Sequence, residues 1–224
     1  MRATAKHASK PMKTYLLLKN DQPPLPPEMI GLDIRHPEVL VQHFLTEFTQ
    51  EGDIVFDPFA GFGTTLKVAE SMNRTGYGTE INPQRMDYAR SQLQHPERLI
   101  AANVRYLDSL SLPQFNFSMS SPPYMGKSDE ENPLSDYTTA GQGYGQYLRD
   151  LAGVYEQIGH KMLEGGHIII EVSNLRLYDG LTTLAWDIAG KVAKKLTFQG
   201  EVVVVWEDGY GYGYDHSYCL VFRK

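Results

Sequence analysis

The chain of 224 residues contains a single cysteine, Cys219. An intramolecular disulfide is excluded, and a reducing cytoplasm suits such a chain. Long apolar runs are missing too: Ile168 to Ile170 and Val202 to Val205 are strand-sized, far short of a membrane span. Tyr15 to Leu18 follows basic residues, yet Lys19 ends it and no small-residue cleavage site comes after, so no signal peptide is expected. Positive charge is scarce. Lysine and arginine number 21 against 27 acids, for a net charge of −6, whereas nucleic-acid binders normally carry a basic footprint. Arg2, Lys6, Lys10, Lys13 and Lys19 form an acid-free opening segment, which reads equally as an arm along a phosphate backbone or a solvated tail. His36, His43, His160 and His167 form no ligand cluster with the lone cysteine, so no metal site is expected.

What is present is a rhythm of short strands and amphipathic helices. Residues 1–30 read as a basic arm followed by a linker with prolines at 23, 24, 26 and 27. Residues 31–224 read as one domain. Helical spacing runs from His36 to Phe48, Thr64 to Asn73, Pro83 to Gln94, Tyr144 to Leu163 and Leu181 to Leu196. Strands are expected at 53–57, 75–81, 98–103, 115–120, 167–172, 201–206 and 217–222. That alternation predicts a seven-stranded, mostly parallel α/β sheet closed by an antiparallel C-terminal hairpin.

The turn Asp57-Pro58-Phe59-Ala60-Gly61-Phe62-Gly63-Thr64-Thr65 joins the first of these strands to its helix. In such sheets ligands bind beyond the carboxyl ends of the strands. Gly61 and Gly63 let the backbone turn sharply against a ligand. Neither a Walker lysine nor the third glycine of a dinucleotide loop follows. Glu80, at the end of the next strand, can accept from both hydroxyls of a ribose, and Ile81 can pack on an adenine face. Asp57 can accept from an α-ammonium group or cap its own turn. These roles suit an amino-acid nucleoside better than a pyrophosphate.

Ser121-Pro122-Pro123-Tyr124 follows the fourth expected strand. Two prolines stiffen the turn, so its carbonyls and the serine can aim at one amino group, and Tyr124 offers a face for a stacked base. Two glycine-flanked aromatic segments, around Tyr144 and around Tyr210 and Tyr212, are candidates to complete that pocket or are simply flexible loops.

DPFAGFGTT, then Glu80, then SPPY resemble the N4-cytosine and N6-adenine DNA methylases, from about Gly31 to the C-terminus. The resemblance implies a Rossmann-like class I methyltransferase fold using S-adenosyl-L-methionine. It implies cofactor contacts from Asp57, Pro58, Phe59, Gly61, Gly63, Thr64, Thr65, Glu80 and Ile81. Asn103 stands where the family often has an acid facing the adenine amino group. Catalytic roles fall on Ser121, Pro122, Pro123 and Tyr124, with Tyr144, Tyr210 and Tyr212 toward the substrate. Serine at the head of the tetrapeptide leans toward cytosine N4. The expectation is a cytoplasmic enzyme methylating an exocyclic base amine of DNA, without membrane contact. Alternatives are adenine N6, an RNA base, a protein glutamine and a non-catalytic cofactor-binding subunit.

Overall fold

The computed structural model describes residues 12–32, 35–135, 143–178 and 180–224. Among these residues five α-helices and ten strands follow in chain order: β1 (Tyr15–Leu18), α1 (Glu38–Phe48), β2 (Ile54–Asp57), α2 (Thr64–Ser71), β3 (Thr75–Glu80), α3 (Pro83–Gln92), β4 (Leu99–Ala101), β5 (Phe115–Ser120), α4 (Gly143–Lys161), β6 (Met162–Val172), β7 (Leu175–Leu177), β8 (Gly180–Thr182), α5 (Leu184–Val192), β9 (Thr197–Trp206) and β10 (His216–Arg223).

Eight strands form one sheet in the order β1-β9-β10-β6-β5-β2-β3-β4. Every neighbouring pair is parallel except β10 with β6 and with β9. The strand-and-helix alternation and the antiparallel hairpin are as the sequence predicts. The eighth strand is not. Tyr15 to Leu18, inside the segment expected to be arm and linker, pairs in parallel with Val203 to Trp206 at the sheet edge. The expected basic arm itself lies mostly outside the described residues. The expected helix from Leu181 begins only at Leu184, because β7 and β8 form a small hairpin first.

Alternation along β2, β6 and β10 builds two cores, and a register shift in β5 between Phe115 and Phe117 sends those two rings to different ones. Phe56, Phe115, Ile168, Ile170, Leu220 and Phe222 face α4 and α5. Val55, Phe117, Met119, Ile169, Cys219 and Val221 face α1 and α2. Removing one fully buried ring such as Phe117 by alanine substitution costs about 3–5 kcal/mol at sites of this kind.

Strand order reverses beside β2. The chain runs outward through β3 and β4, then crosses back to place β5 on the other flank of β2. The connections diverge there, opening a crevice at the carboxyl ends of β2 and β5.

Candidate active site

Asp57 ends β2 and is buried. Its Oδ1 accepts the amide of Phe59 at 3.0 Å and the hydroxyl of Ser120, at the end of β5, at 2.5 Å. The carboxylate thus ties the two flanks of the crevice together. Burial pushes its pKa up to about 6, against hydroxyl donation from Ser120 and Thr65 that lowers it. Thr65 also lies 3.3 Å from His36 Nε2, and burial lowers His36 to about 4.

The turn continues through Gly61 and Gly63 at φ of 52° and 82°, a region L side chains rarely adopt. Glu80 fixes it. Its Oε2 accepts the Gly61 amide at 2.8 Å, while Oε1 accepts those of Ile81 and Asn82 at 2.9 and 2.6 Å. A carboxylate has about four lone-pair sites, so Glu80 keeps one acceptor position for a ligand hydroxyl, where the sequence suggested two. The α3 helix behind it starts on Pro83, capped by Asn82 Oδ1 accepting from Arg85 N at 3.0 Å.

Two cavities open on this edge. The first, about 330 Å³, is lined by Pro58, Phe59, Glu80, Ile81, Asn103, Val104 and Leu134 among others. Its size falls in the usual small-ligand range of about 300–1,000 Å³. The second, about 530 Å³, is lined by Pro122, Tyr124, Leu175, Tyr210 and Tyr212 with Asn20, Gln22 and Arg35. Ser121, Pro123 and Arg85 line both, so the tetrapeptide is the partition between them. Tyr147 reaches up from α4 and donates to the Pro123 carbonyl at 2.9 Å, which pins that partition from below.

In the second cavity the rings of Tyr124 and Tyr212 lie 5.3 Å apart, and those of Tyr210 and Tyr212 lie 6.4 Å apart. Tyr124 remains partly exposed. Its hydroxyl is not idle: it accepts from the Ser173 amide at 3.1 Å, and lies 3.0 Å from the Tyr210 hydroxyl and 3.3 Å from Glu171 Oε2.

The sequence-derived residues therefore separate. Pro58, Phe59, Glu80, Ile81 and Asn103 line the first cavity, and Pro122, Tyr124, Tyr210 and Tyr212 the second. Asn103 turns its Oδ1 to the Arg105 amide at 3.0 Å. Gly61 and Gly63 shape the turn. Asp57 and Thr65 line neither cavity and brace the loop from behind, while Thr64 faces a side cleft with His36 and Phe62. Tyr144 lies away from both cavities. Gly143 to Lys161 is helix, not loop, and the Tyr144 hydroxyl donates to Asp187 on α5 at 2.9 Å. Gly141 and Gln142 of its glycine-rich segment lie outside the described residues.

Two residues escaped the sequence reading. Arg85 gave no signal beyond its place after Asn82. Glu171 did: an acid in the run Ile168-Ile-Ile-Glu-Val172, on a strand packed on both faces, is out of place in a core.

Residues 19–91 match the profile of the DNA methylase family, a segment that holds the glycine turn and Glu80. The orphan methyltransferase M.BamHII of Bacillus amyloliquefaciens is 46% identical over 59 residues, 26% of this chain and 22% of that protein. Over residues 19–91 this chain is similar to the DNA methylases. The tetrapeptide lies beyond the matched segment, and the match spans under a quarter of M.BamHII. The class I methyltransferase fold recurs in TrmN from Thermus thermophilus, with TM-score 0.62 and 17% identity over 88% of this chain and 52% of that one. It recurs in SMU.1697c of Streptococcus mutans, solved in complex with SAH, with TM-score 0.54 and 15% identity over 86% of this chain and 100% of that one. The DNA methylase likeness of the family profile thus rests on residues 19–91, and the fold likeness runs through most of the chain.

Proposed function

We propose that this chain is an S-adenosylmethionine-dependent methyltransferase of nucleic-acid base amines, with cytosine N4 of DNA as its target. The observation that carries the reading is the thin partition. Ser121 and Pro123 face both cavities, so a donor in one and an acceptor in the other meet across a single turn.

The first cavity fits the donor's chemistry. It mixes apolar and polar walls: Ile81 and Val104 offer faces for a purine, and Glu80 offers an acceptor for a ribose hydroxyl, with Asn82, Arg85 and Asn103 alongside. S-adenosylmethionine, when bound, supplies an electrophilic methyl group on a sulfonium. Ser121 and the tetrapeptide backbone hold the target amine by its protons and aim its nitrogen at the partition. Tyr124 and Tyr212 flank a base that has left its stack. No residue here needs to form a covalent bond to the base, and the buried Cys219 lies in the opposite core.

The test is transfer of labelled methyl from S-adenosylmethionine to DNA, transfer RNA, ribosomal RNA and protein, followed by digestion to nucleosides. N4-methylcytosine from DNA is the expected product. N6-methyladenine would move the target, and label confined to RNA would move the substrate. Cofactor binding with no transfer to any acceptor would leave only a binding module and sink the proposal.

A further inference from the structure

The least exposed acid near the second cavity is Glu171, on β6 and 1% exposed. The hydroxyls of Tyr124 and Tyr210 reach it, with those of Ser121 and Ser217 close by. Tyr210 donates to Oε1 at 2.8 Å and Tyr124 approaches Oε2 at 3.3 Å. Ser217 is itself oriented, because Trp206 Nε1 donates to its oxygen at 3.1 Å, leaving the serine proton for Glu171. Trp206 also stacks on Tyr210, with ring centroids 5.9 Å apart.

These contacts come from three separate parts of the chain. Ser121 and Tyr124 belong to the turn after β5. Tyr210 belongs to the connection between β9 and β10, and Ser217 to β10 itself. The carboxylate is the common acceptor. An ionised carboxylate only accepts, so each hydroxyl that faces it points its proton inward and its lone pairs elsewhere.

Building on the methyltransferase reading, we propose that Glu171 is the positioning residue of the target pocket: through Tyr210 and Tyr124 it clasps the β9–β10 connection to the tetrapeptide turn and so fixes the pocket that presents the amine. It acts through these side chains and does not touch the base. Burial raises its pKa above the ordinary carboxylate range while the four hydroxyls hold it down.

The test compares Glu171→Gln and Tyr210→Phe with the unaltered protein. Glutamine keeps the shape but brings two N–H donors, which force a hydroxyl to turn its proton away. We expect kcat for methyl transfer to fall by about tenfold or more in Glu171→Gln with the KM for S-adenosylmethionine held within about twofold. Sinefungin affinity should be retained, and amide exchange across residues 209–214 should accelerate in both variants. Tyr210→Phe leaves the carboxylate in place and should show the smaller kcat loss. Unchanged turnover with unchanged exchange would overturn the inference. So would parallel loss of sinefungin binding and turnover in both variants, which marks a scaffold role. If the unaltered protein transfers methyl to no acceptor, the functional reading has failed, and exchange across 209–214 alone decides whether Glu171 is the clasp.

Discussion

Glu80 holds the amide of Gly61 at 2.8 Å, so the acid ending β3 sets the shape of the turn that follows β2. The same carboxylate bonds two further amides and faces the first cavity. One side chain therefore both builds the cofactor loop and offers a contact to its ligand.

Glu80→Ala should lose both functions. Hydrogen bonds to a charged group contribute about 1.5–3 kcal/mol each, so sinefungin affinity should weaken by about 10- to 100-fold on calorimetric titration. Gly61 would also lose its anchor, and amide exchange in the turn should quicken. Unchanged affinity would remove Glu80 from the cofactor site.

Tyr124 separates ring from hydroxyl. Tyr124→Ala removes the stacking face, a contact of about 1–3 kcal/mol per base, and should raise the KM for nucleic acid while leaving sinefungin binding alone. Tyr124→Phe keeps the face and loses the links to Ser173 and Tyr210, so it should lower kcat with a smaller effect on KM. Steady-state kinetics with varied DNA distinguishes the two. Equal effects would mean the ring does not meet a base.

Asp57 and His36 flank Thr65 and titrate in opposite senses. Asp57 is raised to about 6, so the folded state holds its proton more tightly than the unfolded chain. Its contribution is destabilising as pH rises from about 4 to 6, by up to about 3 kcal/mol for a shift of this size. His36 is lowered to about 4, so the unfolded chain binds more protons between about 4 and 6.5, and stability rises with pH across that window. In the unaltered protein the two slopes oppose. Asp57→Asn should steepen the gain in stability from pH 4 to 6.5, and His36→Gln should reverse its sign. Urea denaturation at half-unit pH steps measures both. Parallel curves for all three proteins would contradict the assigned pKa directions.

Tyr144 links two helices. Tyr144→Phe should cost about 1 kcal/mol of stability through the lost bond to Asp187, with no change in methyl transfer. A fall in turnover at unchanged stability would return Tyr144 to the substrate side.

The sequence made the sheet and its crevice readable because the evidence was local. Gly61, Gly63 and Glu80 sit at the ends of short alternating strands, and Pro83 marks the next helix start. Non-local pairing was not readable. Tyr15 pairs with Val203, and nothing in Tyr15 to Leu18 announces a partner so far along the chain. The β7–β8 hairpin was hidden because Leu181, Leu184 and Ala185 imitate helical spacing. The helix from Tyr144 was legible in its apolar spacing, but the contact of its hydroxyl with Asp187 on α5 was not, because only the fold brings the two helices together. Glu171 formed no motif. Its meaning comes from hydroxyls on the β5 turn, the β9–β10 connection and β10, which only the fold assembles.

The short strand β1 has a bearing on handling the protein. It occupies the open rim of β9, and without it the backbone from Val203 to Trp206 would be bare along one side. Unpaired rims of this kind template association with other chains. Trimming the chain through Leu18 to discard an apparent tail should therefore yield sticky, self-associating material, detectable as larger species on gel filtration.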